Sequence, residues 1–250
     1  MTIPAEYTQW KAARLQSLTA EDGWLNLTDR VDIPPGPQTV GNATDNAIIL
    51  SRGPAHLGTL LPGFRFQTPD GIPQSFQAGR GNPELRVDQF LLEIHTVDGH
   101  PALRVRDLTL PRAVTLRYFP YDPAWKIRAR WEALTAPQSQ SIDQKGGNAT
   151  TVSLTHRAHF SLEGHTITLL ATHWKSGLPM FVIRDQTAGR ETYPASRFLM
   201  GEDVTADAIT LDFNKAHNPP CAFTDFAICP LPPRENILPF AMRAGELALR

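Results

Sequence analysis

Residues 90–108 read FLLEIHTVDGHPALRVRDL, and this stretch decides the fold class. Asp98-Gly99 is the strongest short turn signal for a two-residue hairpin, because both central residues of such a turn need positive φ. Turning there pairs Val97 with His100, Ile94 with Leu103 and Leu92 with Val105. Glu93 then falls opposite Arg104 on the other face. One face is apolar and the other carries an ion pair, the pattern of a half-buried antiparallel hairpin.

The same reading extends along the chain. In THRAHFSLEGHTITLLATHW (155–174), a turn at Glu163-Gly164 pairs Leu162 with His165, Phe160 with Ile167 and Ala158 with Leu169. A third hairpin is predicted in residues 180–200, turning at Gln186 to Gly189. DAITLDFN (207–214) alternates Ile209, Leu211 and Phe213 on one side, leaving Asp212 and Asn214 together on the other. WKIRARWEAL (125–134) places Trp125, Ile127, Ala129 and Trp131 on one face and Lys126, Arg128, Arg130 and Glu132 on the other. The 22 prolines and 17 glycines are spread throughout and leave little room for long helices. The prediction is an all-β fold, a barrel or sandwich built from antiparallel hairpins, with a few short helices. One is expected over Tyr7 to Leu18, with Tyr7, Trp10, Leu15 and Leu18 on one side.

At 250 residues the chain can bury a sizeable core. It is read as a single domain over 1–250, with the alternative of two β-rich halves, about 20–135 and 149–250, joined by the polar stretch Ala136 to Asn148. Lys+Arg 24 against Asp+Glu 25 gives a net charge of -1, so no global basic field is present for nucleic acid or an anionic membrane. The basic residues 126, 128 and 130 face away from the tryptophans beside them and cannot act with them on one strand of nucleic acid. No apolar run is long enough to span a bilayer, and the N-terminus lacks the pattern of a secretory signal. A cytoplasmic location is expected.

Motifs for cofactor chemistry are missing: there is no Gly-x-x-x-x-Gly-Lys, Gly-x-Gly-x-x-Gly or Gly-x-Ser-x-Gly, so no cofactor is expected. His156 and His173 become diagonal neighbours in the second hairpin and could converge on a metal ion, given a third ligand from elsewhere. Isolated strand histidines are more often packed, and no metal is assigned. Cys221 and Cys229 stand eight positions apart, outside the usual redox and zinc spacings. Buried thiols, a disulfide, or a nucleophile pair of Cys221 with His217 are the readings open to them.

The segment from Asp212 to Asn236 concentrates polar groups in a proline-stiffened loop, the way small-molecule pockets are often built. In that reading Asp212 or Glu235 is a general base. Asn214, Asn218, Cys221 and Asn236 contact ligand, Tyr193 offers a phenol, and Arg197 neutralises an anionic group. Glu246 could close the site. Hydrolase or lyase chemistry without a cofactor would fit such a set. The same residue types also cap turns and satisfy backbone. The competing reading is therefore a non-catalytic β module acting through protein contacts, as a homodimer for example. The residues alone leave enzyme status open.

TYPASRFL (192–199) and LDFNKAHNPPCAFTDFAICPLPPRENILPFAMRAGE (211–246) resemble the signature of domain-of-unknown-function family 1684, a group of uncharacterised bacterial proteins. EDGWLNL, SRGPAHLGTL, ALRVRD, FPYDPAWKIRAR and FVIRDQTAGRETY are similar to its other blocks in the same order, over nearly the whole chain. His217 stands where the resemblance implies an aromatic residue such as tyrosine. The resemblance implies no activity.

Overall fold

The computed structural model describes residues 2–79, 81–97, 99–145, 147 and 149–249. The chain divides into two compact units, residues 16–114 and residues 1–15 with 115–250. The helix α1 (Ala5–Thr19) carries Glu6 in its first turn, where a negative charge suits the helix dipole. It buries Tyr7 and Leu18, whereas Leu15, expected on the same side, is exposed. No helix among the described residues is long and apolar enough to cross a membrane.

In the unit 16–114 the strands run in chain order β1 (Leu27–Asp32), β2 (Gln38–Gly41), β3 (Ile48–Ile49), β4 (Gly58–Leu61), β5 (Arg65–Gln67), β6 (Gln74–Ser75), β7 (Gln77–Ala78), β8 (Pro83–Val87), β9 (Phe90–Val97) and β10 (His100–Asp107). They form two five-stranded sheets, ordered β1-β10-β9-β8-β7 and β3-β2-β4-β5-β6. Val40, Ile48, Leu60 and Phe66 of one sheet share a core with Leu85, Leu92, Ile94, Leu103 and Val105 of the other, as in a sandwich. The β9–β10 register is the one read from the sequence: Val97 opposite His100, Ile94 opposite Leu103, Leu92 opposite Val105, Glu93 opposite Arg104. Of its turn pair, Asp98 lies outside the described residues; Gly99 has φ +80°.

The polar face of that hairpin differs from expectation, because it too is buried. Glu93 accepts from Arg104 Nη1 at 3.1 Å and Arg106 Nη1 at 2.5 Å. Arg106 Nε donates to the carbonyl of Gly23, and Arg104 stacks over the Trp24 ring. The segment Gly23–Trp24 therefore covers what one hairpin alone would leave to water.

The other unit holds β11 (Lys126–Asp143), β12 (Ala149–Leu162), β13 (His165–Leu170), β14 (His173–Lys175), β15 (Leu178–Ile183), β16 (Arg197–Glu202) and β17 (Ala208–Asp212). They make one sheet ordered β13-β12-β11-β17-β16-β15-β14. None of the three sheets closes on itself among the described strands, so the barrel alternative is not realised. The polar stretch from 136 that offered itself as a boundary is strand as far as Asp143, within the β11–β12 hairpin. The irregularity there is a bulge: Ala133 pairs with His156 and Gln138 with Leu154, leaving three extra residues on β11, Pro137 among them. Proline cannot donate to a ladder, and a bulge accommodates it. Gly146 and Asn148, at the far end of the stretch, lie outside the described residues.

The β12–β13 register matches the sequence reading. The third hairpin does not turn tightly at 186–189. Ile183 pairs with Arg197, so residues 184–196 form a thirteen-residue connection. Beyond β17 the described residues hold no strand and three 3-10 turns, Phe213–Lys215, Pro220–Ala222 and Arg234–Asn236. Leu238, Phe240, Met242 and Ala244 nonetheless alternate into the core of the seven-stranded sheet. The irregular tail thus forms part of the core, and its backbone needs partners away from any ladder.

Candidate functional site

Those partners are largely the residues singled out in the sequence. Arg197, the first residue of β16, is 1% exposed. Its guanidinium donates to Asp185 Oδ2 at 2.7 Å, to the carbonyl of Met242 at 3.1 Å and to that of Ala244. Burial pushes the guanidinium down from its ordinary value and the Asp185 carboxylate offsets this. Asp185 Oδ1 also accepts from Thr187 N, Thr187 Oγ1 and Met242 N. Arg197 therefore neutralises a buried carboxylate and pins the tail.

Asp212, 2% exposed, accepts from the backbone N and from Nδ2 of Asn214 at 3.1 and 2.9 Å. The Asn214 amide clamps Asp122 through both its backbone N and its carbonyl. The two residues do come together, facing protein instead of a void. Asn218 donates Nδ2 to the carbonyl of Leu247 and its backbone N to Glu246 Oε2. Glu246 is fully buried and accepts from Arg14 Nε at 2.9 Å, while Arg14 Nη2 reaches the Asn218 carbonyl. Asn236, also fully buried, exchanges hydrogen bonds with both backbone groups of Leu170 and donates to the Val182 carbonyl. Glu235 is exposed on the 3-10 turn beside it.

Two candidates lie elsewhere, and together. The Tyr193 hydroxyl donates to the Cys221 carbonyl at 2.8 Å and stands 3.5 Å from Cys221 Sγ. The Cys221 N–H donates to Cys229 Sγ at 3.2 Å. Lys145 reaches the Cys221 carbonyl with Nζ, at 3.4 Å, and the Cys229 carbonyl with its backbone N. The Cys229 thiol, then the Tyr193 hydroxyl and the Lys145 ammonium, draw the Cys221 thiol down to about 7 against the opposing effect of burial. Its neighbour Cys229 is pushed up by the hydrogen bond to Cys221 and by burial. Both cysteines are free.

Tyr193 and Lys145 also wall an open cleft of about 540 Å³, shared with Asp143, Arg184, Pro194, Ala195, Leu231, Pro232 and Ile237. Its lining is mostly apolar, with Lys145, Arg184 and Asp143 as the charged members; Lys145 Nζ also stands 3.9 Å from Asp225 Oδ1. The sequence reading had singled out neither Lys145 nor Arg184, because each lies outside the polar C-terminal block. Asp185 was also missed, although Asp-x-Thr at 185–187 is a side-chain-capped turn that repeats at 107–109, where Asp107 holds Thr109 in the same way.

The histidines separate into packing roles. His156 stacks on Trp131 with centroids 4.8 Å apart and meets Trp174 edge-on. His173 Nδ1 is bonded to Thr172 Oγ1. Among the described residues, no group of three or more His, Cys, Asp or Glu could hold a metal ion. His217 packs between Trp10 and Phe198, and burial, helped by Arg14, lowers its imidazole to about 3. No bond between it and Cys221 joins them as a nucleophile pair.

An open antiparallel sheet, locked by an irregular tail through buried arginine, asparagine and carboxylate groups, defines this unit as a class. The family described as "Protein of unknown function (DUF1684)" matches residues 114–247, and the chain belongs to it. That span coincides with the unit 115–250; the blocks at 21–27, 51–60 and 102–107 lie outside it. The solution NMR structure of the uncharacterized protein from gene locus rrnAC0354 of Haloarcula marismortui is similar to this chain. Identity is 31%, over 53% of this chain and 75% of that one, with a TM-score of 0.44. Among curated proteins there is no match.

Proposed function

We propose that this protein binds a small organic acid in the cleft walled by Tyr193, and that its C-terminal block is the scaffold of that site. The observation that carries the reading is the cleft itself: about 540 Å³ of open space with Lys145 and Arg184 in a mostly apolar lining. Small-molecule sites combine such a lining with a few placed polar groups. The two cations take the carboxylate or phosphate of the ligand. Its apolar part rests on Pro194, Leu231, Pro232 and Ile237, and the Tyr193 ring gives it an edge. Binding is favoured over turnover because Asp212 and Asn214 are engaged with one another and with Asp122, and among the described lining residues Asp143 is the one carboxylate.

The test is a thermal-shift screen with branched aliphatic and aromatic carboxylates and phosphate monoesters. At ten times its Kd a ligand stabilises by about 1.4 kcal/mol. The shift is expected to vanish in Arg184→Ala and Lys145→Ala and to persist in Glu235→Ala, which alters an exposed residue outside the cleft lining. No stabilisation by any member of the panel, or a shift that survives both charge deletions, refutes the proposal.

A further inference from the structure

The two cysteines are held against each other from independent anchors. Cys221 sits in the 3-10 turn Pro220–Ala222, with Pro219 and Pro220 fixing the approach of the chain. Cys229 is tied to the end of β11, where Lys145 N donates to its carbonyl and Leu231 N donates to that of Asp143. The anchors bring the Cys221 N–H to within 3.2 Å of Cys229 Sγ. A buried structural cysteine usually sits among apolar atoms and stays inert. Here Cys221 Sγ has a phenol at 3.5 Å, Cys229 Sγ has the Cys221 N–H at 3.2 Å, and an ammonium stands on the Cys221 carbonyl. Tyr193 touches Cys221 through its hydroxyl and also lines the cleft, so a small reagent reaches the buried sulfur from the cleft once this side chain moves aside.

We propose that Cys221 and Cys229 are a thiol–disulfide couple, oxidised by low-molecular-weight disulfides of the glutathione class, with Cys221 attacking and Cys229 resolving. The Cys221 thiolate attacks one sulfur of the small disulfide, forming a mixed disulfide and expelling one small thiolate. The Cys229 thiol gives up its proton to solvent and attacks Cys221 Sγ. The internal disulfide forms and the second small thiolate leaves. Two electrons pass from the protein thiols to the reagent. Cys221 attacks because it carries the donors that favour a thiolate, while Cys229 keeps its proton until the mixed disulfide has formed. The couple goes beyond the binding proposal and stands whether or not the cleft takes an organic acid, since the reaction needs no other ligand.

The test uses the reduced full-length protein, without other ligands, in anaerobic mixtures of reduced and oxidised glutathione at neutral pH. Samples are quenched by alkylation, digested and read by mass spectrometry. The expected result is joint loss of both free thiols and a peptide pair linked 221–229, lighter by two hydrogens per chain. Cys229→Ser is expected to stop at glutathione on Cys221, and Cys221→Ser to yield neither product. Tyr193→Phe, which keeps the ring but removes the donor, is expected to move the midpoint of the rate to higher pH. The proposal is overturned if native wild-type protein keeps both thiols under oxidised glutathione while both alkylate after unfolding. It is equally overturned by a stable mixed disulfide that never resolves, or by linkage only between chains. The wild-type thiol count needs no variant to fold, and it does not depend on the thermal-shift screen.

Discussion

Replacing Asp185 with alanine isolates what Arg197 does. Arg197 is fully surrounded, and Asp185 Oδ2 at 2.7 Å is its countercharge. Without that carboxylate a guanidinium stays buried with only the carbonyls of Met242 and Ala244. Removing one member of a buried pair costs about 3–5 kcal/mol. Thr187 N and Met242 N lose their acceptor as well, each worth about 1–3 kcal/mol when left unmade, though such terms do not add. The expected loss lies at the upper end of the first range. Arg197→Met is expected to cost less, by at least about 1 kcal/mol, because the remaining carboxylate keeps three donors, Thr187 N, Thr187 Oγ1 and Met242 N. The double variant is expected to be no worse than Asp185→Ala alone, the sign of coupling in a mutant cycle.

Urea unfolding followed by tryptophan fluorescence suits the measurement, since four of the five tryptophans (10, 125, 131 and 174) belong to the unit containing this pair. With a slope of roughly 1–3 kcal/mol/M, Asp185→Ala is expected to lower the midpoint by about 2–5 M at unchanged slope. A cost below about 1 kcal/mol, or Arg197→Met proving the more damaging of the two singles, would refute the argument that this guanidinium is a structural lock.

Other substitutions probe the same tail. Asn236→Asp swaps a buried donor for an acceptor facing the carbonyls of Leu170 and Val182, and about 2–4 kcal/mol of stability is expected to disappear in the same assay. At Gly245, φ is +81° and an added Cβ would fall 2.3 Å from the Ala216 carbonyl oxygen, so Gly245→Ala is expected to unfold the tail, read as lost hydrogen-exchange protection in residues 236–246. His217 is held neutral by burial, with its folded value near 3 against about 6.5 unfolded. The unfolded chain then binds the extra proton between those limits, so stability present above pH 6.5 drains away as pH falls toward 3. Thermal melts of His217→Phe are expected to show a shallower acid loss over that window; an identical acid slope would remove His217 from the account.

The parts of the fold that rest on period-two patterning were legible. The β9–β10 and β12–β13 registers followed from alternation plus a Gly-containing turn, because a slip of one residue would turn every side chain to the wrong face. What escaped was decided by distant segments. Nothing in Glu93–Arg104 announces that Gly23 and Trp24 cover it. The connection 184–196 contains turn residues, yet Asp185 turns away from a hairpin to meet an arginine twelve positions on. In the site region the residue types were read correctly as polar and ordered, but composition cannot tell a ligand from a carbonyl as the partner. Asn218, Asn236 and Arg197 all proved to face carbonyls.

That outcome has a physical cause. From Phe213 onward the described residues of the tail form no strand, while Leu238, Phe240, Met242 and Ala244 bury its apolar side in the sheet core. Burying an extended chain without a ladder leaves its carbonyls and N–H groups to be met by side chains. Asparagine can serve both kinds of group at once, and arginine can serve several carbonyls, so the tail draws on these residue types wherever it runs deepest. The same need explains why residue types that suit a binding site stand here against backbone carbonyls. The cleft lies where the tail meets the rest of the unit: Leu231, Pro232 and Ile237 come from the tail, and Tyr193, Lys145 and Arg184 from outside it.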